Sequence, residues 1–211
     1  MDDKTHWWDD EREIRAQYWH PGPGQVVVDI GCHIGSYTIP ALEAGATVYA
    51  VDPCEARLSQ LDSFWGGDPE RLTCVKKAVA EPGGYPDWFR GFLSVSAYQE
   101  FHAPADADFT TLDELTSDYS LTRLDWVKVD VEGAELGVLT GGMETLARFR
   151  PTVLIEAHDM IYGWVARLGS EGKCRDLLTG LGYEVQIATY TRSAPRNFLI
   201  GHPVSPDSDG K

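Results

Sequence analysis

The sequence predicts an α/β fold of the Rossmann-like, doubly wound kind: a mostly parallel sheet covered by helices on both faces, with a C-terminal antiparallel pair. Three observations carry this expectation. Unbroken β-branched runs such as VVVDI (26–30) and TVLIE (152–156) suit strands buried on both faces. These runs alternate with helical patterns, the rhythm of successive βαβ units. No internal repeat or linker divides the 211 residues, a length that one core can stabilise without disulfide or metal.

The elements follow in order. WWDDEREIRAQYW (7–19) reads as a short amphipathic helix with Ile14, Tyr18 and Trp19 on related faces. HPGPG (20–24) ends it, because proline continues neither a helix nor a central strand. Residues 1–24 are therefore expected to form a helical extension packed on the core. VVVDI is the first strand; a helix over about 36–44 and the strand TVYAVD (47–52) follow. CEARLSQLDSFW (54–65) is a helix and LTCVKKAV (72–79) the third strand. After an irregular aromatic stretch come the strand LDWVKVDV (124–131) and its helix AELGVLTGGMETLARF (134–149). PTVLIEAH (151–158) is the fifth strand and EGKCRDLLTGLG (171–182) the last helix. YEVQIAT and NFLIGHP, joined by a turn at about 193–196, form the closing pair, and 205–211 is a frayed tail. Ligand space is expected at the carboxyl ends of the first, second, fourth and fifth strands.

Composition narrows the function. With 33 acidic against 18 basic residues the formal charge is -15, which opposes nucleic-acid binding, where phosphate neutralisation dominates affinity. Sugars, small neutral or cationic acceptors and partner proteins stay open. No apolar stretch suggests a signal peptide or membrane span, so a cytoplasmic protein with no membrane partner is expected. Cys32, Cys54, Cys74 and Cys174 form no CxxC pair; reduced, mostly buried thiols are expected rather than a zinc site or disulfides.

The loop after the first strand reads DIGCHIG (29–35). A dinucleotide fingerprint needs glycine at position 33, where the backbone meets a pyrophosphate; His33 would crowd it, and no GK[ST] follows. The pattern DxGxxxG suits a cofactor without phosphates. Asp29 is assigned to an ammonium, and the amides of Gly31, Cys32, His33, Gly35 and Ser36 to a carboxylate, aided by the helix start. Asp52, with Pro53 beside it, ends the second strand where an acid accepts ribose hydroxyls. Ala78 is a backbone contact for adenine, or simple strand packing. Amino acid, ribose and adenine together describe S-adenosylmethionine.

Further along, TLDEL (111–115), WVKVDVEGAELGVLTGGMETL (126–146) and RPTVLIEAH (150–158) resemble the FkbM-type methyltransferases. The resemblance runs from about Val26 to His158, with Cys32 and His33 where the family usually has Ala and Asn and Asp52 where it commonly has Glu. It implies a seven-stranded methyltransferase sheet over residues 25–204, S-adenosylmethionine as cofactor, and methylation of hydroxyl oxygens, often on sugars or natural products.

A hydroxyl acceptor needs a base as its C–O bond forms. Asp130 and Glu132 lie two residues apart, as do Glu156 and His158, so each pair faces one way on an extended chain. His158 is assigned as base, with Asp130, Glu156 and Glu132 relaying or orienting, and Asp130 also touching the cofactor. A divalent cation held by these four side chains is the lower-ranked alternative. Glu135 is read as favouring the positive start of its helix. The aromatic stretch 84–104, with Ser94 and Ser96, is expected either to face the acceptor or to cover a sheet edge; the N-terminal HWW and QYW are expected to pack rather than close as a lid. N-methylation, a nicotinamide-dependent oxidoreductase and a non-catalytic interaction module are the competing readings.

Overall fold

The computed structural model describes residues 5–84, 107–158, 170–190 and 196–204. Its seven-stranded sheet runs β3-β2-β1-β6-β7-β9-β8, from β1 (Val26–Ile30), β2 (Thr47–Val51), β3 (Leu72–Val75), β6 (Trp126–Val129), β7 (Thr152–Ala157), β8 (Tyr183–Tyr190) and β9 (Arg196–Pro203). The strands are parallel except that β9 lies antiparallel to both neighbours. The order reverses at β1, where a ligand crevice is expected in an open α/β sheet.

Alternation along β1 separates the two faces. Val27 belongs to a core with Ile14 of α1 (Thr5–Tyr18), Ala41 and Leu42 of α2 (Thr38–Glu43), and Leu58 and Leu61 of α3 (Glu55–Phe64). Val28 and Ile30 join the opposite core with four further helices: α4 (Leu112–Asp118), α5 (Glu135–Thr140), α6 (Met143–Phe149) and α7 (Ser170–Gly180). Beside β1, Trp19 lies edge-on to Tyr37 and Trp126 and donates its indole N–H to the Tyr37 carbonyl at 3.1 Å. No helix among the described residues is long and apolar enough to cross a membrane.

The structure departs from the sequence expectations in three elements. The third strand stops at Val75: Lys77 N–H bonds back to the Val75 carbonyl at 3.1 Å. The chain then turns Ala78–Val79 (β4) into a separate parallel pair with Phe109–Thr110 (β5). The helix expected over 134–149 breaks at Gly141–Gly142. A Cβ at Gly141 would stand 2.5 Å from the Ala80 carbonyl oxygen and one at Gly142 2.7 Å from Leu112, so the break lets the chain approach β4 and α4. The helix expected from about residue 36 starts at Thr38, after a run of turns over 33–37. At six residues it is too short to present much of a dipole.

Candidate active site

Register fixes the centre of the site. Ile30 pairs with Val51 on one side and Val129 on the other, so the next residues, Gly31, Asp52 and Asp130, stand level on three adjacent strand tips. Gly31 has φ +75, and a Cβ there would lie 1.8 Å from the Asp130 carbonyl oxygen. Its glycine is required by the neighbouring chain as much as by any ligand.

The loop is largely self-satisfied. Gly31 and Cys32 N–H both donate to the Val51 carbonyl, at 2.8 and 3.1 Å, and Gly35 N–H donates to the Cys32 carbonyl at 2.8 Å. His33 N–H donates to Asp52 Oδ2 at 3.2 Å, from a residue with φ +50. Each of these four amides, expected to meet a ligand carboxylate, thus has an acceptor within the protein. Cys32 is a buried packing residue whose thiol is pushed well up by burial, then by Asp29 and Asp52. Burial, then Arg57, lowers the pKa of His33. Ser36 and Pro53 are partly buried flanking residues.

Asp29 lies wholly buried beneath the loop. Thr38 Oγ1 donates to its Oδ2 at 2.6 Å, while Oδ1 has no hydrogen-bond partner among the described residues. Burial raises its pKa, with Lys128 and Thr38 pulling the other way. Asp52 is held by Cys54 N–H at 2.8 Å, besides His33, and Arg57 Nη1 lies 3.5 Å away. Ala78 is packed in β4, three residues past the end of β3, its N–H donated to the Asp108 carbonyl at 2.8 Å.

The four acid–base candidates do converge. His158 Nε2 lies 3.6 Å from Asp130 Oδ1, 3.6 Å from Glu132 Oε2 and 3.8 Å from Glu156 Oε1. The chain reaches Glu132 through a left-handed turn, with φ +53 there and +107 at Gly133, and this turn leads from β6 into α5.

Three residues outside the assigned set complete the cluster. His158 Nδ1 donates to Glu135 Oε1 at 2.7 Å, and Glu135, with no exposed surface, also accepts from Gly133 N–H at 2.8 Å and Ser170 Oγ at 2.9 Å. Glu135 thus orients the imidazole, a role its position at a helix start concealed. Lys128, buried in β6, donates to Asp130 Oδ2 at 2.8 Å and lies 4.8 Å from the Tyr37 ring centroid. Burial opposes its charge, but Asp130 and Asp29 outweigh that and hold its pKa above the ordinary lysine range. A lysine between valines in an otherwise apolar strand was the sequence signal for such a partner.

Burial likewise opposes a charge on His158, and Glu132, Glu135 and Glu156 overcome it, raising the pKa well above the usual imidazole value. The aromatic stretch, apart from Gly84, lies outside the described residues with Ser94 and Ser96, as do the HWW side chains, the turn at 193–195 and the tail.

Fold and site together define an α/β domain of the methyltransferase type. A solved methyltransferase FkbM from Methylobacillus flagellatus superposes with TM-score 0.63 at 16% identity, over 89% of this chain and 46% of that one. Magnesium protoporphyrin IX methyltransferase from Synechocystis, solved with bound SAH, gives TM-score 0.55 at 16% identity over 96% and 84%. The sequence model described as the methyltransferase FkbM domain matches residues 29–185, and the chain belongs to that family. The 2-O-methyltransferase NoeI of Sinorhizobium fredii is 25% identical, the match covering 61% of this chain and 61% of that protein. This chain therefore spans about half to three fifths of the length of these two relatives.

Proposed function

We propose that the protein is an S-adenosylmethionine-dependent O-methyltransferase acting on a hydroxyl of a carbohydrate or other small acceptor. The observation that carries this reading is the alignment of Gly31, Asp52 and Asp130 on three strand tips, beside the His158 cluster. Asp52 suits the ribose: its carboxylate is fixed by two backbone N–H groups and Arg57, and Oδ1 keeps a second lone pair. Asp29 Oδ1, an unsatisfied acceptor beneath the loop, suits the ammonium. The surplus of carboxylates matches a cationic cofactor better than a pyrophosphate.

S-adenosylmethionine, when bound, supplies a methyl group on a sulfonium whose sulfur keeps the bonding pair as the C–S bond breaks. The protein's part is to align the acceptor oxygen, exclude water and take the hydroxyl proton as the C–O bond forms. We assign that proton to Glu132. Its side chain, 29% exposed, is the most open of the four groups in the cluster. The name of NoeI, a 2-O-methyltransferase, favours oxygen as the methylated atom.

Calorimetry with S-adenosylhomocysteine and transfer of labelled methyl to a panel of oligosaccharides test the reading. Binding and transfer are expected, with Glu132→Gln lowering kcat roughly 10²–10⁴-fold at unchanged S-adenosylhomocysteine affinity. Stabilisation by NAD without any response to S-adenosylhomocysteine would reject the class. Full turnover by the variant would reject the base.

A further inference from the structure

We propose that Asp130, Glu156 and His158 bind one divalent cation, manganese or magnesium, which holds the acceptor through two adjacent hydroxyls. The catalytic use of this ion rests on the function proposed above; its binding does not.

The geometry begins with His158 Nε2. It belongs to a side chain only 3% exposed and makes no hydrogen bond among the described residues; the nearest carboxylate oxygens around it stand at 3.6, 3.6 and 3.8 Å. Those separations are too long for hydrogen bonds. They are slightly wider than the roughly 3.0–3.5 Å between neighbouring ligand atoms on a small divalent ion. One ligand atom each from Asp130, Glu156 and His158 lies within 4.8 Å of the other two.

Each end of this set is aimed from behind. Lys128 occupies Asp130 Oδ2 at 2.8 Å, which turns Oδ1 toward His158. Glu135 occupies Nδ1 at 2.7 Å, the carboxylate–imidazole arrangement that orients metal-binding histidines and raises their donor strength. Carboxylate oxygens of Asp130, Glu132 and Glu156 all face the one imidazole nitrogen, while Lys128 sits on the far oxygen of Asp130. Two carboxylates and one imidazole, without thiolate, suit manganese or magnesium.

Three protein ligands leave three positions of an octahedron. A pair of neighbouring hydroxyls fits two of them, so the acceptor class is a vicinal diol, as carbohydrates present. The ion polarises the O–H bond, and Glu132 Oε2, beside Nε2 at 3.6 Å, stands within reach of the released proton.

The test is a Mn²⁺ titration of the chelator-treated chain, read by the electron paramagnetic resonance of free Mn²⁺. Circular dichroism and S-adenosylhomocysteine calorimetry are run on every sample. One ion per chain is expected. Glu156→Gln and His158→Gln should each weaken it at least tenfold, and Glu135→Gln about 10–100-fold. Asp176→Asn, on the exposed surface of α7, should leave it unchanged. A folded chain that takes up no stoichiometric Mn²⁺ overturns the proposal, as does binding insensitive to both ligand variants. Mn²⁺ binding without S-adenosylhomocysteine binding would sink the methyltransferase reading and leave the cation site standing.

Discussion

Lys128 and Asp29 face the same side of adjacent strands, because Asp29 and Lys128 are register partners across β1 and β6. Lys128 also donates to Asp130 Oδ2 from within the sheet. Removing its charge strands buried acids, so Lys128→Met is expected to cost about 3–5 kcal/mol, measured by urea unfolding. Adding Asp29→Asn should recover part of that loss; strict additivity would show that the two are not coupled. Asp29→Asn alone tests the burial effect. An acid whose folded pKa is raised loses stability as pH climbs from its unfolded to its folded value, and the deficit persists above that. The variant should therefore match or exceed the parent's Tm at neutral pH, with the difference shrinking as acid protonates the parent's Asp29. A lower Tm at neutral pH would mean that the Lys128 attraction outweighs desolvation. The convergence of Asp130, Glu132, Glu156 and His158 was legible from their spacing two apart on strand ends. Glu135 was not, because its partner His158 is 23 positions away, and only the β7–α5 packing reveals the pair.

Among the elements, those with unbroken apolar runs were read correctly, since burial on both faces leaves a clear mark. The weaker signals concerned where elements stop. TLDEL carries a capping box that marks the start of α4: Thr111 Oγ1 accepts from Glu114 N–H at 3.0 Å, and Glu114 Oε2 accepts from Thr111 N–H at 2.9 Å. Thr111→Ala is expected to cost about 1 kcal/mol, seen as a shifted denaturation midpoint. The paired lysines at 76–77 were read through as strand, although they mark where the chain leaves the main sheet and ion-pair outward with Glu55 and Asp118. The Gly141–Gly142 break was hidden because its cause is tertiary. Gly141→Ala drives a methyl toward the Ala80 carbonyl and should destabilise by about 1–3 kcal/mol; a gain in stability, as helix propensity alone would give, would argue against that contact.

At the scale of the molecule, two cores on opposite faces hold one sheet, and the switch in strand order at β1 gathers the strand-tip acids on one edge. The chain as a whole carries a formal net charge of -15, and self-repulsion opposes compactness. Thermal scans from about 20 mM to about 500 mM salt should show a rising Tm as charges are screened; a flat response would indicate local compensation by ion pairs. The acidic balance was visible in composition. The gathering of Asp130, Glu132 and Glu156 around His158 was expected from their places at neighbouring strand ends; the buried Glu135 and Lys128 that complete it were not.

One consequence reaches into how the protein can be altered. The 1.8 Å gap at Gly31 ends on main chain, not on a side chain able to swing aside. A saturation library across the first loop should accordingly return a single survivor at that position. At His33, whose backbone already tolerates a bulky group in a left-handed conformation, several residue types should be recovered.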